Sequence, residues 1–176
     1  MKTLIIVTHP NLQQSVVNKR WLEEIGKFPE KFTIHNLYKT YPDQKIDVLA
    51  EQELIENHDK IIFQFPFYWF SSPPLLKQWL DEVLTYGWAY GSKSGYKLEG
   101  KKIALAISVG GAEEEYRDAE KYGQSLETLT YPLKLSFDYV KADYQPLFAS
   151  YGFEINAEKE VVDKSADDYL DYLNKF

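Results

Sequence analysis

At 176 residues, with 44% hydrophobic and 27% charged residues, the chain has the size and composition of one globular domain with its own core. A net charge of −7, with no basic run longer than two residues, argues against nucleic acid as a partner. The absence of cysteine excludes disulfides, thiolate nucleophiles and Cys-ligated zinc or iron–sulfur clusters. His9, His35 and His58 fall at no metal-ligand spacing, so no metal site is expected.

The opening MKTLIIVTHP carries one lysine and a five-residue apolar stretch, too short for a signal peptide or a bilayer span, which points to a cytoplasmic chain. Leu4–Val7 reads as a first strand. It runs into a loop from Thr8 that lacks both G-x-G-x-x-G and G-x-x-x-x-G-K-[ST], the glycine-rich phosphate cradles. A helix follows over Ser15–Phe28, with Val17, Trp21, Ile25 and Phe28 at three-to-four spacing. Ser15 has two readings. It is an N-cap, or its hydroxyl and the free amides of the first turn hold a phosphate, with Asn18 facing a ribityl-like chain. His9 is likewise either a loop histidine or a ligand.

Phe32–Leu37 is the second strand, followed by an irregular Lys39–Lys45 and a helix over Asp47–Asn57. The third strand, Ile61–Phe65, runs into Pro66, Phe67, Tyr68, Trp69 and Phe70. Four large aromatics in succession either seal the core or a subunit contact, or line a site for a flat ligand. The next helix starts with Ser72 as N-cap and Pro73 at its first position. After an irregular Ala89–Lys101, Ile103–Ser108 is the fourth strand. Ser108, Val109, Gly110 and Gly111 then form an ordinary turn, or a place where backbone amides approach a planar ring closely. The glycine-bounded, acidic Gly110–Gly123 loop precedes a helix over Gln124–Tyr139. A weaker fifth strand near Tyr144–Phe148 and a helix over Ser165–Phe176 complete the chain.

Strands alternating with helical segments imply parallel βαβ units. The expected architecture is α/β, a single domain over 1–176 with a doubly wound, five-stranded parallel sheet of order 2-1-3-4-5. The loops after strands one, three and four then converge at one sheet edge, where such folds bind ligands.

The residues in these loops carry a resemblance. H-P-x4-S-x2-N at His9–Asn18, A-E-Q-E at Ala50–Glu53, Q-F-P-F-Y-W-F-S-S-P-P-L-L-K-Q-W-L-D at Gln64–Asp81, G-W-A-Y-G at Gly87–Gly91 and the Gly110-Gly111 pair occur in order along the chain. Together they resemble the flavodoxin-like NAD(P)H:quinone oxidoreductases of the DT-diaphorase group. The likeness is greatest to short bacterial members, which include ancillary subunits of glutathione-gated potassium efflux systems. The resemblance implies a flavodoxin-like three-layer sandwich and a homodimer with one flavin per subunit. FMN is favoured over FAD because a chain ending at Phe176 leaves no room for a domain over an adenine. It places His9 and Ser15, Val16, Val17 and Asn18 at the phosphate and ribityl chain. Pro66 to Phe70 fall at the isoalloxazine ring, with main-chain donors from Trp69 and Phe70, and Ser108, Val109, Gly110 and Gly111 lie on the opposite flank. Tyr116 takes the catalytic position, stabilising charge on the reduced flavin.

The implied activity is ping-pong: NADH or NADPH gives up a hydride, then a quinone or similar acceptor takes two electrons. The implied alternatives are a regulatory subunit, peripheral at the membrane through a potassium-efflux partner, and a flavodoxin-type electron carrier. The chain departs from the family pattern at Val109, where a Thr is usual, and near Tyr122, where a His often stands. Glu113, Glu114 and Glu115 also crowd the loop before Tyr116.

Overall fold

The computed structural model describes residues 2–93, 95–117 and 121–176. Among them six strands form one parallel sheet: β1 (Thr3–Val7), β2 (Phe32–Asn36), β3 (Lys60–Pro66), β4 (Lys102–Ser108), β5 (Asp143–Tyr144) and β6 (Phe148–Ser150). The order is β2-β1-β3-β4-β5, with β6 also paired to β4, so the expected order 2-1-3-4-5 holds. The apolar runs are continuous because helices cover both faces. Alternate residues go to opposite sides: Leu4, Ile6, Phe63 and Leu105 to one core, Ile5, Val7, Ile62 and Ala104 to the other.

The first core lies under α2 (Leu37–Thr40), α3 (Val48–Glu56), α4 (Pro74–Val83), α5 (Leu126–Leu129) and α6 (Tyr131–Tyr139). The second lies under α1 (Val17–Ile25) and α7 (Lys159–Lys175). There Trp21 of α1 stacks on Tyr169 of α7 at 4.9 Å between ring centroids, and its indole N–H donates to Ser165 Oγ at 2.9 Å. No helix among the described residues is long and apolar enough to cross a membrane.

Several boundaries differ from the sequence expectation, each for a local reason. The fifth strand is present in two pieces. Ile103 pairs with Tyr144 but Ala106 pairs with Phe148, so one extra residue is taken up around Pro146, which has no N–H to give. The second strand stops at Asn36, whose side chain caps α2 by accepting from the Lys39 amide. That short helix runs into the stretch expected to be irregular from Lys39. The helix expected to start at Pro73 starts one residue later, with Pro74 first and Pro73, not Ser72, in the cap position. Gln124–Tyr139 breaks into two helices at Thr130, just before Pro132, and α7 begins at Lys159, six residues before Ser165. Asp47 caps α3 as its position implies, accepting from the Ala50 amide at 3.1 Å. Ser94 in the Ala89–Lys101 stretch and residues 118–120 of the Gly110–Gly123 loop lie outside the described residues.

Candidate functional site

The carboxyl ends of β1, β3, β4 and β6 deliver four loops to one edge of the sheet. In the first, β1 carries on for one residue, with the Thr8 amide donating to Gln64 O at 2.9 Å. His9 follows, buried, and its Nδ1 accepts from the Asn11 amide at 3.1 Å. That bond leaves the ring proton on Nε2, and burial lowers the His9 pKa, so the imidazole is a neutral donor. Ser15 is in extended geometry and its Oγ accepts from the Asn18 amide at 3.1 Å. The capping reading of Ser15 is therefore met, and its own hydroxyl proton stays available. The amides of Val16 and Val17, at the start of α1, donate to nothing among the described residues.

Beneath this loop a buried polar chain ties three elements together. Gln64 Nε2 of β3 donates to Asn18 Oδ1 at 3.2 Å, and Asn18 Nδ2 donates to Ser108 Oγ of β4 at 2.8 Å. Asn18, 1% exposed, thus spends its side chain on the protein rather than offering it outward. Gln64 Oε1 is left buried and unpartnered.

The second loop turns on Trp69 and Phe70. Tyr68 and Ser71 exchange both main-chain hydrogen bonds, at 3.1 and 2.9 Å, across those two residues. Both residues have positive φ, 49° and 58°, the geometry of a type I′ turn that ordinarily takes Asn-Gly. Bulky residues there cost about 1–2 kcal/mol each. Trp69 is 94% exposed, so it is no seal of the core, and the Trp69 and Phe70 amides have no acceptor among the described residues. Phe67, half-buried, meets Tyr116 edge to face at 6.0 Å, and Phe70, 44% exposed, meets Tyr122 at 5.0 Å.

In the third loop Val109 is 1% exposed and belongs to the core, so the family hydroxyl missing there is replaced by a packed apolar side chain. The Gly110 and Gly111 amides have no acceptor among the described residues. Tyr116, 7% exposed, closes this side. Burial first, then Tyr122, Glu115 and Glu154, raise its pKa, so it remains a protonated phenol at neutral pH. The fourth loop, after β6, was not foreseen. Phe153, Glu154 and Ala157 come from it to the same edge. The rule that open sheets bind ligands beyond their strand ends would have found it, had the fifth strand been read as ending at Ser150.

These loops enclose two adjoining clefts. One, of about 510 Å³, is lined by His9, Ser15, Val16, Val17, Asn18, Pro66, Phe67, Tyr68, Ser108, Val109 and Gly110, among others. The other, of about 460 Å³, is lined by Phe67, Tyr68, Trp69, Phe70, Gly110, Gly111, Tyr116, Tyr122 and Glu154. Every residue singled out from the sequence therefore lies on one cleft or the other. The first has the fittings for an anionic, hydroxylated chain, namely helix-start amides, a hydroxyl and a neutral imidazole N–H. The second has aromatic walls and outward amides, which suit a flat ring with a polar edge.

Comparison with known proteins agrees with this geometry. The sequence is 47% identical over 173 residues to an uncharacterized NAD(P)H oxidoreductase, YrkL, of Bacillus subtilis, covering 98% of each chain. It is 42% identical over 148 residues to the potassium-efflux ancillary protein KefF of Salmonella schwarzengrund, covering 84% of this chain and 82% of that one. Among solved structures, general stress protein 14 of Treponema denticola in complex with FMN superposes with a TM-score of 0.93 at 50% identity, covering 99% of both chains. An NADPH-quinone reductase from P. pentosaceus gives 0.87 at 32%, covering 98% of both. The sequence model of the family described as the flavodoxin-like fold matches residues 1–173, and the chain belongs to that family.

Proposed function

We propose that this chain is an FMN-dependent NAD(P)H oxidoreductase that reduces quinones in ping-pong order, working as a cytoplasmic homodimer. One observation carries the reading. Six amides, those of Val16, Val17, Trp69, Phe70, Gly110 and Gly111, are left without acceptors among the described residues, around two clefts that share Phe67, Tyr68, Gly110 and Glu154. Backbone donors seldom go unpaired unless a ligand or solvent completes them. The Treponema relative supports FMN as that ligand, and the P. pentosaceus neighbour supports the quinone.

Bound FMN supplies reversible acceptance and delivery of hydride. The protein supplies the rest. Val16 and Val17 amides, the Ser15 hydroxyl and His9 Nε2–H would hold the phosphate and the chain behind it without a cationic side chain. The Trp69 and Phe70 amides, set by the strained turn, would donate to the polar edge of the ring. Phe67, Tyr68 and Trp69 bound a slot in which donor and acceptor take turns, which gains rate by orientation. Tyr116 holds its proton above neutral pH and so offers a hydrogen bond where negative charge builds.

Loading the purified protein with FMN, desalting, and adding NADH or NADPH anaerobically tests this. Retained yellow flavin that bleaches on addition and recovers with a quinone is the expected result. A protein that keeps neither FMN nor FAD overturns it. The likeness to KefF favours a second role, docking on a membrane transporter, for which the readout is co-purification with a membrane protein from the native host.

A further inference from the structure

Of the residues that line both clefts, Phe67, Tyr68, Gly110 and Glu154, only Glu154 is charged. Its main chain is held there by hydrogen bonds. Beyond β6 the chain is stitched to the third loop: the Val109 amide donates to Ser150 O at 2.9 Å, Gly152 to Gly111 O at 2.8 Å, and Glu154 to Gly110 O at 2.9 Å. Gly152, at φ +85°, allows the bend. The Glu154 side chain then lies directly across Gly110, where an added Cβ would meet its Cδ at 2.5 Å.

A second carboxylate, Glu115, covers Gly111 from the other side, but the two differ in compensation. Glu115 pairs with Lys121 at 2.8 Å. Glu154 has no cationic partner among the described residues, and neither cleft is lined by a lysine or an arginine. The junction therefore carries one uncompensated negative charge beside the paired amides of a diglycine that would otherwise welcome an anion.

We infer that Glu154 is the charge selector of this site, favouring uncharged acceptors over anionic ones of the same ring system. The inference rests on the flavin reading above and names the acceptor class within it. A carboxylate a few ångströms from an anionic substituent, between apolar walls, disfavours that ligand by about tenfold. Salt reduces the effect, because Glu154 is itself exposed.

The test uses the FMN-loaded wild type, Glu154→Gln and Glu114→Gln. The last removes the same charge from the neighbouring acidic loop without touching either cleft. Dissociation constants for menadione and for a naphthoquinone sulfonate are read from perturbation of the bound-flavin absorbance at low and high salt, with kcat/KM ratios alongside. The expected result is an anionic-to-neutral Kd ratio about tenfold lower in Glu154→Gln, and within about twofold of wild type in Glu114→Gln. The wild-type ratio should also shrink at high salt. An unchanged ratio in Glu154→Gln, or an equal shift in Glu114→Gln, overturns the inference while leaving the flavin enzyme intact. A wild type that retains no flavin overturns both.

Discussion

The polar centre under α3 and the polar rim of the clefts use the same kinds of group and leave them in opposite states. Glu51, 1% exposed, accepts from His35 Nε2, Tyr41 O–H and Trp79 Nε1, each at 2.7 Å. Next to it, Gln52 Nε2 donates to Val83 O at 2.9 Å and to Thr85 Oγ1 at 3.0 Å. Here side chains from β2, α3 and α4, with Tyr41 beyond α2, close a network that asks nothing of any ligand. At the rim the reverse holds: amides lack acceptors among the described residues, an indole stands in solvent, and two residues keep an unfavourable φ. A cluster of open main-chain donors and strained residues at one sheet edge is the pattern expected of a ligand site.

The comparison is tested most severely at Glu51. Glu51→Ala strands three donors in the interior and removes the charge they surround. The expected loss is about 3–5 kcal/mol of unfolding free energy, read from urea titration, and a loss below 1 kcal/mol would mean the network is dispensable. The pH dependence follows with a definite sign. Burial raises the Glu51 pKa, but the hydrogen bond and charge of His35, with Tyr41 and Trp79, outweigh it and bring the net value below the ordinary 4.5. Stability from this group is thus full above the unfolded value and is lost as pH falls through the lowered folded one. Melting curves between pH 5 and 3 should show a drop in wild type that is shallower in Glu51→Gln.

Ser108→Ala probes the boundary between the two regions, because Ser108 serves the interior chain and borders the first cleft. The variant leaves Asn18 Nδ2 buried without its acceptor, an expected cost of about 1–3 kcal/mol. If Asn18 is the girder under the first loop, FMN retention falls along with stability. Wild-type retention in a destabilised variant would separate the two and make this chain purely structural.

Much of this division was legible in the sequence. Apolar runs such as Ile61–Phe65 set the sheet, since strands covered on both faces have no polar alternation to confuse the reading. The aromatic loop and the diglycine pointed to the candidate site because both follow strands whose carboxyl ends meet at one sheet edge. What escaped were features set by tertiary contact. Asn18 reads as a ligand-binding residue in a string of letters, and its engagement with Gln64 across two elements is invisible there. Glu154 was hidden behind the bulge at Pro146, which lengthened the last strand beyond its apolar run and carried the fourth loop to the site. The A-E-Q-E motif reads as a pattern and not as an interior hub, since a surface helix carries the same letters equally well.

The finest test concerns Trp69, where the two kinds of region make opposed demands on one residue. Its side chain is almost wholly solvated, so removing it costs little packing, and its φ of 49° is one that glycine adopts freely. Relief of the strain, partly offset by the greater entropy of glycine in the unfolded chain, gives an expected gain of up to about 1 kcal/mol in Trp69→Gly. The same variant should bind FMN about tenfold more weakly in a fluorescence-quenching titration, because the wall beside the ring is gone. A variant that gains stability and loses flavin identifies the strain as the cost of a ligand site. One that loses stability shows that Trp69 serves the fold, and the distinction between hub and rim would fail at the residue that expresses it most sharply.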